Sequence, residues 1–336
     1  MKNNYKILTL AGIILVSSGN QAFANGIYNN NISALNINML TDTFMSYTNY
    51  GTKMYDLFNR SKFYGTMGRF DEYGDDGTTN TGGPQHKNSD FAIDDVWVNA
   101  NYINGNLHYK NQDTQRGRFN LASFGGTTAD IDLLYGKMSF GGFATYLNNN
   151  AYKMKSVGNA VGIFAKYSYE LTDMTLLIDS GTINNRAETS TDFHNMWVNT
   201  AAGLSTIFRI DNSFLVRPNA YFSYTFVSSD KFSVNNQEIL STNFNFMNIA
   251  PEIQFIKEIT PFWYGMFSVK YIAHLNNHKD IRVADKTFDA LKLNNHTDIG
   301  IDVEHKIDRF LLGIGAHKQM GGFDGWSGNI NVKYAF

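Results

Sequence analysis

The chain lacks cysteine, has only 4 prolines and contains no apolar run long enough to form a transmembrane helix. Without cysteine there can be no disulfide, no thiolate metal site and no lipid anchor attached to a cysteine at a cleavage site. The formal net charge of −2 provides no basic field that would attract nucleic acid. These absences remove cysteine chemistry and nucleic-acid binding from consideration.

The first 24 residues have the pattern of a secretory signal peptide. Lys2 and Lys6 precede an apolar run at residues 7–16, which is too short to span a bilayer as a helix. Residues 22–24, Ala-Phe-Ala, form a small-x-small cleavage site. The pattern predicts export and cleavage after Ala24.

Aromatic residues are abundant, with 26 Phe and 19 Tyr, yet the mean hydropathy of −0.30 is typical of a soluble protein. A membrane β-barrel combines these properties, because each strand shows an apolar face to lipid and a polar face to the lumen. A soluble all-β sandwich has a similar composition, so the composition leaves both classes open.

Two segments precede the strand-like region. Apolar residues at three- and four-residue spacing predict a helix from about Asn31 to Arg60, within a helical segment spanning residues 25–60. Residues 61–92 are rich in Gly, Asp, Asn and Thr and predict a flexible linker. Its acidic run fails the spacing of a calcium loop, because Tyr73 stands at the third position of the pattern, where a ligand is required.

From residue 93 to residue 336 apolar and polar residues alternate with the period of two that is typical of β-strands. We count about twelve segments, several of them longer than the usual soluble strand of about five or six residues. Their predicted starts are Ile93, Arg118, Lys137, Ser156, Thr172, Phe193, Ser213, Ser241, Phe262, Phe288, Arg309 and Gly325.

The connections alternate in length, which indicates a barrel. Tight turns are predicted at residues 134–136, 171–172, 211–212, 260–261 and 307–308. The other connections are longer and polar, and include residues 111–117, 184–192, 228–240 and 276–286. Short periplasmic turns and long extracellular loops are typical of outer-membrane barrels, and a spanning sheet must close because lipid cannot satisfy a free strand edge. We therefore predict an all-β fold, a transmembrane antiparallel β-barrel of about twelve strands at residues 93–336.

Several segments resemble the autotransporter β-domain, the translocator barrel of type V secretion. They are the run Asp94-Asp95-Val96-Trp97-Val98, the run Phe214-Leu215-Val216-Arg217-Pro218 followed by Tyr221 and Tyr224, the closing strand from Gly325 to Phe336, and the helix end from Lys53 to Arg60. The resemblance implies a helix in the pore of a twelve-stranded outer-membrane barrel. It also implies that the assembly machinery reads the last strand, through Trp326, Ile330, Val332, Tyr334 and Phe336.

The chain departs from this family in having almost no passenger, since only about six residues separate the cleavage site from the predicted helix. Some relatives cut themselves at an Asn-Asn pair within the helix. The corresponding position here is Thr48-Asn49, so we predict no self-cleavage.

The predicted lumen faces carry charges of both signs. These residues are Lys166, Glu170, Arg217, Glu252, Lys270, Asp298, Asp302, Glu304 and Lys333. We expect an ion-pair network that holds the barrel around the helix, with Lys53 and Arg60 as helix partners. The alternative is that a lumen simply needs polar walls.

No catalytic constellation emerges, and we expect neither enzymatic activity nor a cofactor. Asp94 and Asp95 fall at the predicted periplasmic end, too far from the His278–Asp280 loop to share a water molecule. His274 and His296 could face the lumen beside Asp298, where hydrogen-bonded histidines are more plausible than a metal or proton site.

Three functions remain open. The first is a translocator-like, passenger-less outer-membrane barrel with a structural, translocation or surface-interaction role. The second is a small porin for passive diffusion of ions and small solutes, and the third is a soluble secreted β-protein. For the first we expect a monomer in contact with outer-membrane lipid, the assembly machinery and periplasmic chaperones.

Overall fold

The structure is a computed structural model that describes residues 93–108, 115–133, 135–151, 154–187, 192–229, 232–234, 237–239, 243–276, 280–283, 286–289 and 294–336. The predicted signal peptide, helix and linker lie outside these residues. No helix within the described ranges is long and apolar enough to cross a membrane. The strands are β1 Ile93–Leu107, β2 Gln115–Thr128, β3 Ile131–Leu133, β4 Gly136–Ala151, β5 Met154–Tyr169, β6 Thr172–Ala187, β7 Phe193–Thr206, β8 Phe208–Arg209, β9 Phe214–Ser229, β10 Phe232–Val234, β11 Gln237–Ile239, β12 Asn243–Thr260, β13 Trp263–Asn276, β14 Asp280–Val283, β15 Lys286–Asp289, β16 His296–Ile307, β17 Phe310–Gly321 and β18 Phe323–Ala335.

Twelve of these strands form a closed antiparallel barrel, in the order β1, β2, β4, β5, β6, β7, β9, β12, β13, β16, β17, β18. The first and last strands close it through a register that runs from Asp95 opposite Ala335 to Leu107 opposite Phe323. Each barrel strand is therefore paired on both sides, as a spanning sheet requires. The predicted fold class is confirmed.

The loop-side connections contribute a second, smaller sheet, in which β10, β11, β14 and β15 pair in that order. The start predicted for the tenth barrel strand, Phe288, is wrong, because Phe288 lies in β15 opposite Ile281 of β14. The barrel strand begins at His296. Apolar and polar residues alternate in a short loop hairpin just as they do in a strand of the barrel wall. Periodicity alone therefore cannot distinguish the two.

The tight turns lie at one end of the barrel, including Glu170-Leu171, Pro261-Phe262 and Asp308-Arg309. The prediction that every other connection is longer is wrong at two places. Residues 152–153 join β4 to β5, and Gly322 alone joins β17 to β18. At both places the paired strands extend further than the sequence predicts, so little chain is left for a loop. The turn after β17 is possible because Gly321 adopts a φ of +107°, which residues with a side chain rarely adopt.

The outer surface of the barrel is an apolar belt. Every barrel strand exposes at least one large apolar side chain on this face. In barrel order these include Val98, Phe124, Tyr146, Ile163, Leu176, Val198, Phe222, Ile253, Phe267, Ile301, Ile314 and Ile330. A continuous apolar band is unfavourable in water and favourable against lipid.

Glycines let inward-facing aromatic rings lie against the wall. Phe143 of β4 is the register partner of Gly162 in β5, and Phe164 of β5 is the partner of Gly141 in β4. A Cβ atom at either glycine would overlap the facing ring. This close approach lets the rings pack tightly against the wall formed by β4 and β5.

Candidate functional site

The lumen wall is the candidate site, because it gathers most of the predicted charges. Apart from Glu170, every predicted lumen charge points inward and is buried; these are Lys166, Arg217, Glu252, Lys270, Asp298, Asp302, Glu304 and Lys333. The lumen position predicted for Glu170 is wrong. This residue lies exposed in the β5–β6 turn with a φ of 49°, since β5 ends at Tyr169 and the alternation of faces ends with it.

An ion pair joins the first and last strands where the barrel closes. Lys333 Nζ lies 2.9 Å from Asp95 Oδ2, and the two side chains are only 5% and 4% exposed. Asp95 belongs to the acidic start of β1 and Lys333 to the closing strand, so residues far apart in the chain meet at the seam. The pair stabilises one closed register.

A second cluster surrounds His317 of β17. Its Nδ1 lies 2.9 Å from Asp298 Oδ1 and its Nε2 lies 3.3 Å from Asp302 Oδ1. Asn329 donates to the same Asp302 oxygen at 3.0 Å, and Gln319 donates to Asp298 Oδ2 at 3.1 Å. The imidazole therefore bridges two carboxylates of β16, in an arrangement held by amide side chains.

Sequence reasoning did not single out His317. It placed His274 and His296 at the lumen beside Asp298, and His296 is buried on the same face of β16 as Asp298. Those two rings lie 5.5 Å apart between centroids, and His274 Nδ1 lies 2.6 Å from Asn248 Oδ1. His317 lies opposite Gly300, which has no side chain to block the ring, and this pairing follows from the register between β16 and β17.

Charges and amides also alternate around the wall. Register partners follow one another from Asn219 of β9 to Glu252, Lys270, Asp298 and Gln319 on the next four strands. Asn219 Nδ2 donates to Glu252 Oε2 at 3.1 Å. Opposite charges on neighbouring strands stabilise the pairing of those strands.

Arg217 forms a separate group at the turn-side part of the wall. Its guanidinium donates to Ser205 Oγ at 2.9 Å and to Gln254 Oε1 at 3.5 Å, and the residue is 0% exposed. Its partners belong to the strands on either side of β9, so Arg217 links three consecutive strands.

Asp179 accepts two hydrogen bonds across the β6–β7 pair. The indole Nε1 of Trp197 donates to Oδ1 at 2.9 Å, and Asn199 Nδ2 donates to Oδ2 at 2.7 Å. Trp197 thus points inward and is buried. Asn199 in turn accepts from Thr225 Oγ1 of β9 at 2.9 Å.

The closing strand presents its aromatic residues outward. Trp326, Ile330 and Phe336 are exposed, while Val332 and Tyr334 are half-buried on the same face. Tyr334 packs edge-on against Phe336, with ring centroids 5.2 Å apart. The residues of the predicted assembly signal therefore form one accessible surface on the apolar belt.

The remaining predicted positions, Lys53, Arg60, Thr48-Asn49 and His278, lie outside the described residues. Within the described residues, no group of three or more histidine, aspartate or glutamate side chains is arranged to hold a metal ion.

Comparison with solved structures identifies the fold. The β-domain of the Bordetella autotransporter BrkA is similar with a TM-score of 0.58 and 12% identity, over 73% of this chain and 100% of that one. The translocator domain of NalP from Neisseria meningitidis gives 0.57 and 10%, over 75% and 90% of the two chains. The transport unit of AIDA-I from Escherichia coli gives 0.61 and 13%, over 76% and 94%.

Neither a family model nor a curated protein matches the sequence. At 10–13% identity the likeness lies in architecture. The chain has the fold of an autotransporter translocator barrel, which confirms the resemblance inferred from the motifs at the level of fold.

Proposed function

We propose that this chain is an outer-membrane barrel of the autotransporter translocator type, with almost no passenger, whose lumen is occupied by its own N-terminal segment. The apolar belt supports the membrane location, because it surrounds all twelve strands. The signal-peptide pattern supports export to the compartment from which such barrels assemble.

The burial of the lumen charges carries the proposal. Arg217 and Glu304 are 0% exposed although they point into the barrel. Eight-stranded barrels fill their interior with side chains, whereas barrels of sixteen or more strands leave an aqueous channel. In a water-filled barrel of twelve strands, inward-facing charges would remain accessible to water, so complete burial favours an occupied lumen.

The charge of the wall favours contacts with individual basic side chains. The buried charged side chains of the described wall comprise seven acidic and four basic residues: Asp95, Asp173, Asp179, Glu252, Asp298, Asp302, Glu304, Lys166, Arg217, Lys270 and Lys333. Residues 25–60 precede β1 in the chain and contain Lys53 and Arg60 together with Asp42 and Asp56. We propose the two basic side chains as partners of the acidic excess.

A barrel closed in this way would not serve as a general diffusion pore. Its function would be structural, translocational or one of surface interaction through its loops, without enzymatic activity and as a monomer. The outward face of β18 would be the surface that the assembly machinery and periplasmic chaperones meet.

Because the chain has no cysteine, a single introduced thiol reports water access at one position. Ser268→Cys places a thiol on the inward face of β13, where the serine is 2% exposed. Asn212→Cys in an exposed turn is the matched control. In outer-membrane fractions, a charged maleimide should label the control and leave the Ser268→Cys protein unlabelled, until residues 26–60 are deleted.

Rapid labelling of the Ser268→Cys variant in the full chain would contradict an occupied lumen and favour the porin. Recovery of the protein in the soluble fraction, without a heat-dependent shift in gel mobility, would contradict the membrane location itself.

A further inference from the structure

A row of polar and basic side chains crosses the outer face of the barrel near its loop end. Arg118 of β2 lies opposite Asn150 of β4, Asn150 lies opposite Lys155 of β5, and Lys155 lies opposite Arg186 of β6. All four side chains are exposed. Neighbouring strands are about 4.8 Å apart, so the row spans about 14 Å from Arg118 to Arg186.

This row, which we call the basic row, carries more positive charge than its neighbours neutralise. Arg186 pairs with Asp192 at 3.0 Å. Among the described residues, no acidic side chain forms an ion pair with Arg118 or Lys155, and the exposed Arg116 adds a further cation two residues along β2.

Polarity changes in steps below the basic row, toward the middle of the barrel. The next outward row contains the amides of Asn120, Asn148 and Asn184, with Val157 of β5 between the last two. Beneath it, exposed large apolar side chains begin with Tyr146 on β4, Phe124 on β2 and Val161 on β5. On β6 the outward face stays polar at Thr182 and Ser180 and becomes apolar at Ile178. A membrane lipid has the same sequence of chemistry, from charged headgroup through the ester-linked backbone to the acyl chains.

A depression of about 360 Å³ opens within this surface. It is lined by Lys155, Val157, Asn184, Asn185, Arg186, Asp192 and His194. Basic and amide side chains thus surround a space into which an anionic oxygen-rich group could enter. A guanidinium and an ammonium group are donors suited to phosphate oxygens.

The basic row occupies one sector of the barrel. Near the loop end of the opposite strands the outward face includes apolar residues, with Leu275 of β13 56% exposed and Met320 of β17 40% exposed, and Lys318 of β17 is paired with Asp324. A ring of cations around the whole barrel would attract any negatively charged surface. A single cationic sector above an apolar belt favours binding of one discrete ligand that lies along the wall.

We infer that the basic row binds the phosphate group of an anionic membrane lipid whose acyl chains lie on the apolar belt below. The inference rests on the proposed membrane location of the barrel. A lipid is favoured over free phosphate because the row shares its outer face with the apolar belt, which begins at Tyr146, Phe124 and Val161, and a lipid gains contacts there that free phosphate cannot make.

The test uses the full chain, folded in uncharged detergent micelles and titrated with short-chain phosphatidic acid. Short-chain phosphatidylcholine and inorganic phosphate are titrated in parallel. Phosphatidic acid should bind more tightly than either. Lys155→Gln should raise its Kd by up to about fivefold, which corresponds to the contribution of one basic side chain near a membrane surface.

Lys318→Gln is the matched control, because Lys318 also points outward near the loop end but lies 2.5 Å from Asp324 Oδ1. Its Kd should stay close to that of the unaltered protein. The combined variant Arg118→Gln/Lys155→Gln/Arg186→Gln should lose the preference for phosphatidic acid over phosphatidylcholine.

Equal affinity for phosphatidic acid and phosphatidylcholine would overturn the inference, as would an equal effect of Lys155→Gln and Lys318→Gln. Inorganic phosphate binding as tightly as phosphatidic acid would assign the row to a soluble anion instead. Heat-dependent gel mobility reports folding separately, so a folded barrel that fails to bind the lipid contradicts this inference and leaves the proposed function standing.

Discussion

Breaking the Asp95–Lys333 ion pair should destabilise the barrel strongly, because the pair is buried at the seam between β1 and β18. Lys333→Met removes the ammonium group and leaves the Asp95 carboxylate without its partner 2.9 Å away. Lys333 also interacts electrostatically with Glu304, which is 0% exposed. The substitution therefore leaves two buried carboxylates without this counter-charge.

The magnitude follows from burial. Removing one member of a buried ion pair costs about 3–5 kcal/mol of unfolding free energy, because the remaining charge stays desolvated. Asp95→Asn should cost less than Lys333→Met, since Lys333 retains Glu304 nearby. In the double variant the loss should be smaller than the sum of the single losses by about 1 kcal/mol or more.

The assay is urea unfolding of the refolded protein in detergent micelles, followed by tryptophan fluorescence. Lys137→Met is the control, because Lys137 lies 3.9 Å from Asp132 and the two side chains are 54% and 87% exposed. A loss below about 1 kcal/mol is expected there. Equal losses for Lys333→Met and Lys137→Met, or strict additivity in the double variant, would refute the argument that the seam pair is buried and coupled.

Three further predictions concern packing, acid stability and processing. Gly162→Ala should lower the unfolding free energy by about 1–3 kcal/mol, because its Cβ would strike an inward ring. Gly142→Ala should have little effect in the same urea assay, because its Cβ would meet the Gly162 carbonyl oxygen at 3.7 Å, an ordinary van der Waals distance. Hydrogen bonds from the Ser213 backbone N–H and hydroxyl group lower the pKa of Asp211. The carboxylate therefore stabilises the fold above its ordinary pKa of about 3.9, and this contribution disappears as the pH falls through the lowered value. The gap in urea midpoint between the unaltered protein and Asp211→Ala should shrink from pH 7 to pH 3; a constant gap would contradict this. The exported protein should remain one chain without cleavage inside the predicted helix, and mass spectrometry that finds a shortened barrel would contradict this.

Alternation along the strands was sufficient to predict the closed barrel and the inward direction of most charges. Residues such as Arg217 and Ile301 differ in polarity from their chain neighbours, and a period of two assigns them to opposite faces without knowledge of the partner strands. The same rule does not apply in turns, which explains why Glu170 was placed on the wrong side.

Alternation along a strand does not show which side chains on neighbouring strands contact each other. The contact of His317 with Asp298 and Asp302 depends on the register between β16 and β17, which a single sequence does not encode. The loop hairpin that contains Phe288 shows a second limit of alternation as a predictor. A regular pattern can belong to a strand that lies outside the barrel wall.

Single-channel conductance of the protein, with and without residues 26–60, tests most directly whether the lumen is occupied. The proposed closed translocator fold predicts low conductance in the full chain and a clear rise after the deletion. High conductance in both forms would contradict it and identify an open pore. Absence of conductance in both folded forms would contradict the inference that the N-terminal segment is what closes the barrel.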